Sequence, residues 1–164
     1  MVASSSIPDT GPAERPRVLL ADDHPAVVAF AAAVLADECL VVARAGDGLE
    51  LVAEAERLHP DVIVLDITMP RLDGIEAARR LRRSPQPARL IFLTVHEDAD
   101  FARAALDAGG LGYVVKARLA SDLLPAIRAA LADRPFMSPN VRLDEARPTS
   151  PDLPGKPPPT ERKP

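Results

Sequence analysis

Unbroken apolar runs alternate along this chain with stretches whose apolar residues recur at helical spacing. Val18-Leu19-Leu20-Ala21 is the first run. Pro25 then suits the first turn of a helix whose apolar residues are Val27, Phe30, Ala31, Val34 and Leu35. Leu40 to Ala45 predicts a second strand, closed by Gly46-Asp47-Gly48. Leu49 to Leu58 follows as a helix with Leu51, Val52, Ala55 and Leu58 inward and Glu50, Glu54 and Arg57 outward. Val62-Ile63-Val64-Leu65 is continuous rather than alternating, which marks a central parallel strand buried on both faces. After a Pro70–Gly74 loop, Ile75 to Arg83 reads as a helix with a basic outer face, and Ser84-Pro85-Gln86-Pro87 breaks it. Leu90 to Leu93 is a fourth strand, Asp98 to Ala108 a helix stopped by Gly109-Gly110, and Gly112 to Val115 a fifth strand. Ser121-Asp122 opens a last helix that buries Leu123, Leu124, Ile127, Ala130 and Leu131.

Five strand–helix units joined by short loops predict a (βα)5 α/β domain with one five-stranded parallel sheet and right-handed crossovers. The commonest order for a doubly wound sheet of this size is 2-1-3-4-5, the flavodoxin-like arrangement. Composition sets its limits. The 18 Pro of the 164 residues crowd toward the two ends. Residues 1–16 are expected to be a disordered tail, 17–134 the folded domain and 135–164 a Pro-rich linker or tail. The single cysteine, Cys39, excludes an internal disulfide and fits a reducing compartment, with Cys39 as a small buried apolar residue. Residues 1–16 lack the basic and apolar regions of a secretory signal, and no apolar run reaches membrane-spanning length. The expectation is a cytoplasmic protein with no membrane partner. A net charge of −4, with acidic residues in excess across 17–133, disfavours direct nucleic-acid binding by this chain.

Chemistry enters where strands stop. Asp22-Asp23 ends the first strand, Asp66 the third, Thr94 the fourth and Lys116 the fifth, so a parallel sheet brings all of them to one edge. Strands one and three are neighbours at the switch point, so three carboxylates converge there. That arrangement is stable only with a cation between them. Oxygen ligation with positions left for water suits Mg²⁺ or Mn²⁺ rather than zinc. Lys116 is the sole Lys between Arg17 and Asp133, a region that otherwise uses Arg, which points to a need for a compact ammonium. A carboxylate, a divalent metal, a hydroxyl and an ammonium together make a site for a phosphoryl group. His24 and His96 read as local modulating residues rather than metal ligands.

Read in order, Ala21-Asp22-Asp23-His24-Pro25, Leu65-Asp66-Ile67-Thr68-Met69-Pro70-Arg71-Leu72-Asp73-Gly74, Leu93-Thr94-Val95-His96 and Gly112-Tyr113-Val114-Val115-Lys116 carry a resemblance. From Arg17 to about Asn140 the chain resembles the receiver domain of two-component response regulators. It is most similar to the subfamily whose output is a tetrahelical, LuxR-type helix-turn-helix domain. The resemblance implies that Asp66 accepts a phosphoryl group from a sensor histidine kinase as an acyl phosphate. It implies that Asp22, Asp23, Asp66 and the backbone carbonyl of Thr68 hold Mg²⁺, with Asp22 acting mainly through water. Thr94 and Lys116 would contact the phosphoryl group, and Tyr113 would be the switch aromatic that changes rotamer as Thr94 moves. No external turnover is implied, so the chain is expected not to be an enzyme.

Two residues depart from the family pattern: Val95 stands where a smaller residue is common, narrowing access to the phosphoryl pocket, and Gly110 stands where Ala is common. Pro135-Phe136-Met137-Ser138-Pro139 resembles the start of a linker to an output domain, yet no recognition-helix pattern follows. The expected function is a receiver without its own output domain that changes its affinity for an unknown downstream protein or for a second copy of itself. The alternatives are a transcription regulator whose DNA-binding effector is truncated or supplied by another chain, a metal-dependent aspartyl phosphohydrolase, and a receiver that signals without phosphorylation.

Overall fold

A computed structural model describes residues 14–143. The expectations for residues 1–13 and 144–164 lie outside the described residues. In chain order the elements are β1 (Arg17–Ala21), α1 (Pro25–Leu35), β2 (Leu40–Ala45), α2 (Gly48–Leu58), β3 (Val62–Leu65), α3 (Gly74–Leu81), β4 (Arg89–Thr94), α4 (Ala99–Asp107), β5 (Gly110–Val115), α5 (Leu119–Leu131) and β6 (Phe136–Met137). A single 3₁₀ turn, Lys116–Arg118, joins β5 to α5. All strands pair in parallel in the order β2-β1-β3-β4-β5-β6.

The doubly wound order is as expected, but the sheet has six strands rather than five. Phe136 and Met137 pair with Gly112 and Tyr113, and Ser138 and Val141 are buried behind them. The linker-like segment is thus packed on the domain up to Val141. Two consecutive partners make a strand too short to leave a periodic signature in sequence. At the other end, Leu40 N–H donates to Pro16 O, and Arg15 Nη1 donates to the last turn of α1 at Ala36 O.

Alternation along the buried strands divides the core in two. Leu19, Ile63, Leu65, Phe92, Tyr113 and Val115 point to the face covered by α2, α3 and α4. Val18, Leu20, Val62, Val64, Ile91 and Val114 point to the face covered by α1 and α5, where Cys39 is also buried. Side-chain caps set the starts of α2 and α3. Asp47 accepts from Glu50 N–H at 2.8 Å, and Asp73 accepts from Glu76 N–H at 2.8 Å. Gly109, at φ 105°, ends α4 in a conformation that favours glycine, and Gly110 already belongs to β5.

Two local arrangements hold the sheet edge that carries the polar strand ends. Gly74 N–H donates to Ile67 O at 2.7 Å, and a Cβ on Gly74 would stand 2.0 Å from Asp66 O. The first residue of α3 therefore lies directly on the backbone of Asp66. On the far side of β5, the buried Asp122 of α5 accepts from Ser138 Oγ at 2.7 Å, from Arg118 Nε at 2.8 Å and from Ser121 Oγ at 2.9 Å. Burial works against the Asp122 charge, but the donors from Arg118, Ser138 and Ser121 outweigh it and hold its carboxyl below the ordinary value.

Gly74→Ala is expected to destabilise the fold by about 3 kcal/mol, because only backbone movement relieves the clash; chemical denaturation measures it. A carboxyl with a lowered folded pKa adds stability above its unfolded value that is lost as pH falls through the folded one. Asp122→Asn should therefore lie furthest below the native protein in urea midpoint near neutrality. The gap should close as the pH drops below about 4.

Candidate functional site: a carboxylate and ammonium cluster at the sheet edge

Buried strands deliver the site residues. Asp22 follows β1 and Asp66 follows β3, and both are buried; β1 and β3 run side by side in register from Val18 with Val62 to Ala21 with Leu65. Asp66 N–H donates to Ala21 O at 2.9 Å, and Asp22 N–H donates to Ala45 O at 3.0 Å, so the ladder itself carries the carboxylates to the same level. Lys116, immediately after β5, reaches across. Its Nζ lies 2.6 Å from Asp22 Oδ2 and donates to Asp66 Oδ2 at 3.0 Å. The side chain is only 13% exposed, which makes this a largely desolvated ion-pair triad.

The remaining carboxylate oxygens face different donors. Asp66 Oδ1 accepts from Thr68 N–H at 3.3 Å. Asp22 Oδ1 accepts from His24 N–H at 2.9 Å, and His24 Nδ1 lies 3.1 Å from it and 3.0 Å from Asp23 Oδ1. Burial pushes the Asp66 carboxyl up; Lys116 opposes that, and the neighbouring Asp22 charge adds to it. Burial opposes the charge on Lys116, but its ion pairs with Asp22 and Asp66 outweigh that and push the ammonium up. Lys116 is thus held charged between two carboxylates.

Ligand atoms of Asp22, Asp23, His24 and Asp66 all lie within 4.8 Å of one another. Among the described residues no donor reaches Asp22 Oδ2 in hydrogen-bond geometry, despite the close ammonium. Three carboxylates against one ammonium, with a buried oxygen lacking an aligned donor, fit a hard divalent cation bound through oxygen. His24, read from the sequence as a local modulating residue, lies with its ring against Asp22 and Asp23. Its place directly after Asp22-Asp23 was the available signal.

Thr94 and Tyr113 are buried, but they meet through His96 rather than at the carboxylates. Thr94 Oγ1 accepts from His96 N–H at 3.2 Å, and Tyr113 Oη donates to His96 O at 2.7 Å. Burial, with the Asp98 charge adding to it, pushes the Tyr113 phenol far above its ordinary value, so it remains a donor. The His96 ring stacks on Phe101 of α4 at 3.9 Å between centroids, and its Nε2 lies 3.2 Å from Thr68 Oγ1. His96 therefore touches the loop after β3, the end of β4, β5 and α4, a junction that a lone His in the sequence does not announce. Val95, beside it, is 66% exposed.

Residues 18–128 match the family of the response regulator receiver domain. The response regulator GacA of Pseudomonas viridiflava is 36% identical over 127 residues, covering 76% of this chain and 59% of GacA. The chain thus spans about three fifths of that relative's length. A LuxR-family two-component response regulator from Aurantimonas sp. SI85-9A1 has a similar solved structure, with a TM-score of 0.74 at 37% identity over 78% of this chain and 93% of that one. The response regulator RcsB of Salmonella typhimurium is similar at a TM-score of 0.72 and 27% identity, over 78% of this chain and 65% of RcsB. RcsB has also been solved as two dimers bound to two parallel DNAs. The shared fold and a match running from β1 into α5 lead to one conclusion: the chain belongs to the response regulator receiver domain family of two-component signalling.

Proposed function

We propose that this receiver takes a phosphoryl group on Asp66 from the phosphohistidine of a sensor kinase, in a reaction that requires Mg²⁺ or Mn²⁺. The observation that carries the reading is the Lys116 ammonium held between Asp22 and Asp66 at 2.6 and 3.0 Å. An Asp66 oxygen attacks phosphorus, the P–N bond of the donor breaks, and an acyl phosphate forms. The cation, held by Asp22, Asp23, Asp66 and the Thr68 carbonyl, would supply charge neutralisation at the phosphoryl oxygens. Lys116 holds Asp66 in place before transfer and then turns to the new phosphoryl oxygen. The Thr94 hydroxyl supplies a further donor once it leaves His96 N–H. That movement shifts the loop whose carbonyl holds Tyr113 Oη, and the local charge change thereby biases the face formed by α4 and β5.

In this reading the chain works in the cytoplasm, turns over no external substrate, and signals by changing its affinity for a partner protein or a second copy of itself. The RcsB dimers support self-association as one form of that output.

Incubation with acetyl phosphate and Mg²⁺ should add one phosphoryl mass to the native protein and none to Asp66→Asn, read by intact mass. No gain in a folded native protein would sink the phosphoacceptor reading. Lys116→Met leaves two buried carboxylates without their ammonium, so it should cost about 3–5 kcal/mol in EDTA. Saturating Mg²⁺ should recover much of that loss, as measured by urea unfolding in both media. An equal loss in both would show that the cation does not sit among these carboxylates.

A further inference from the structure

The ammonium that organises the site is positioned from outside it. Lys116 directly follows Val115, the last residue of β5, and Val115 N–H donates to the buried Ser138 Oγ at 3.1 Å. Ser138 N–H in turn donates to Tyr113 O at 2.9 Å. One residue thus bonds to the strand on both sides of Val114. The Ser138 carbonyl has turned away to accept from Val141 N–H at 3.0 Å, so β6 ends there and a side-chain hydroxyl takes over the ladder position opposite Val115. That hydroxyl donates its own proton to Asp122 Oδ2 at 2.7 Å, which fixes its lone pairs toward Val115. Asp122 is braced by Arg118, in the same turn that begins with Lys116. Both ends of the Lys116–Arg118 turn are therefore held by one buried pair, Ser138 and Asp122.

We infer that Ser138, braced by Asp122, is a positioning residue for Lys116, and that the docking of residues 136–141 on β5 is thereby coupled to occupancy of the phosphoryl site. The inference rests on the phosphoacceptor reading and adds a route by which the site communicates with the segment after α5. Coupling of this kind is reciprocal: whatever engages Lys116 in its seated position favours the docked segment, and the docked segment favours that engagement. The hydroxyl is specific to the task. Alanine would leave Val115 N–H buried without a partner and release Asp122 from one of its donors, whereas threonine keeps the same oxygen.

The test uses the full chain with Mg²⁺ and beryllofluoride as the phosphoryl mimic, with affinity measured by calorimetry and amide exchange by NMR. Beryllofluoride affinity should fall about fivefold to tenfold in Ser138→Ala, the worth of one buried hydrogen bond, and be retained in Ser138→Thr. Mg²⁺ affinity should not fall, because a loosened ammonium leaves the carboxylates no less negative, a split that general loosening of the fold would not produce. In the native protein, beryllofluoride should slow exchange at the Val115, Ser138 and Val141 amides. Native-like beryllofluoride affinity in a folded Ser138→Ala overturns the inference. If that variant does not fold, unchanged exchange at those three amides in the native protein overturns it instead. A folded native protein that binds no beryllofluoride fails at the earlier step, the phosphoacceptor reading itself, and takes this inference with it.

Discussion

One ammonium between two buried carboxylates is the constraint on which this site depends. Asp22 and Asp66 are brought to the same level by adjacent strands, and neither can move away because each backbone N–H is committed to a neighbouring strand. Two like charges so placed repel, and burial raises the cost. Lys116 answers both at once, at 2.6 and 3.0 Å. With Asp23 counted, three carboxylates face one ammonium, leaving two negative charges at the sheet edge. The strain is therefore electrostatic and local, and one divalent cation would balance both charges.

The rest of the fold serves to keep that edge rigid. Gly74 seats α3 on the Asp66 carbonyl at a distance no side chain permits, and Asp73 caps the same helix. Bulky strand residues fill both faces behind the carboxylates: Ile63 and Leu65 toward α2 and α3, Val62 and Val64 toward α1 and α5. A close-packed core of this kind does not deform continuously.

Much of this was legible in the sequence because buried parallel strands announce themselves as unbroken apolar runs, and the residue ending each run must lie at one edge. Asp22, Asp66, Thr94 and Lys116 are all found that way. The uniqueness of Lys116 in an Arg-rich domain further marked it as a required ammonium. What escaped the pattern is held by contacts without periodicity. A two-residue strand such as Phe136–Met137 leaves no alternation to count, and Pro135 and Pro139 on either side read as linker. His24 reads in sequence as a local modulating residue, but that its backbone N–H and ring both engage Asp22 depends on the turn after β1. His96 acts chiefly through its main chain, and a residue's main-chain partners are invisible in its side-chain type.

His96 and Ser138 show the same device on opposite edges of β5. On one side, Thr94 and Tyr113 meet through the two backbone groups of His96, so a turn of the Thr94 hydroxyl toward the carboxylates would give up the bond from His96 N–H. On the other, Ser138 bonds the Tyr113 carbonyl and the Val115 amide, one residue short of Lys116. Tyr113 is thus tied by its phenol to the loop after β4 and by its main chain to β6. A phosphoryl group on Asp66 would add negative charge beside the ammonium, and the Thr94 hydroxyl is the donor proposed to turn toward it. In the proposed switch that turn would break the Thr94 to His96 bond on one edge, while a re-aimed Lys116 would load the Ser138 contact on the other. Both edges meet on the same strand, and β5 is therefore the element through which the proposed change of charge would be passed on.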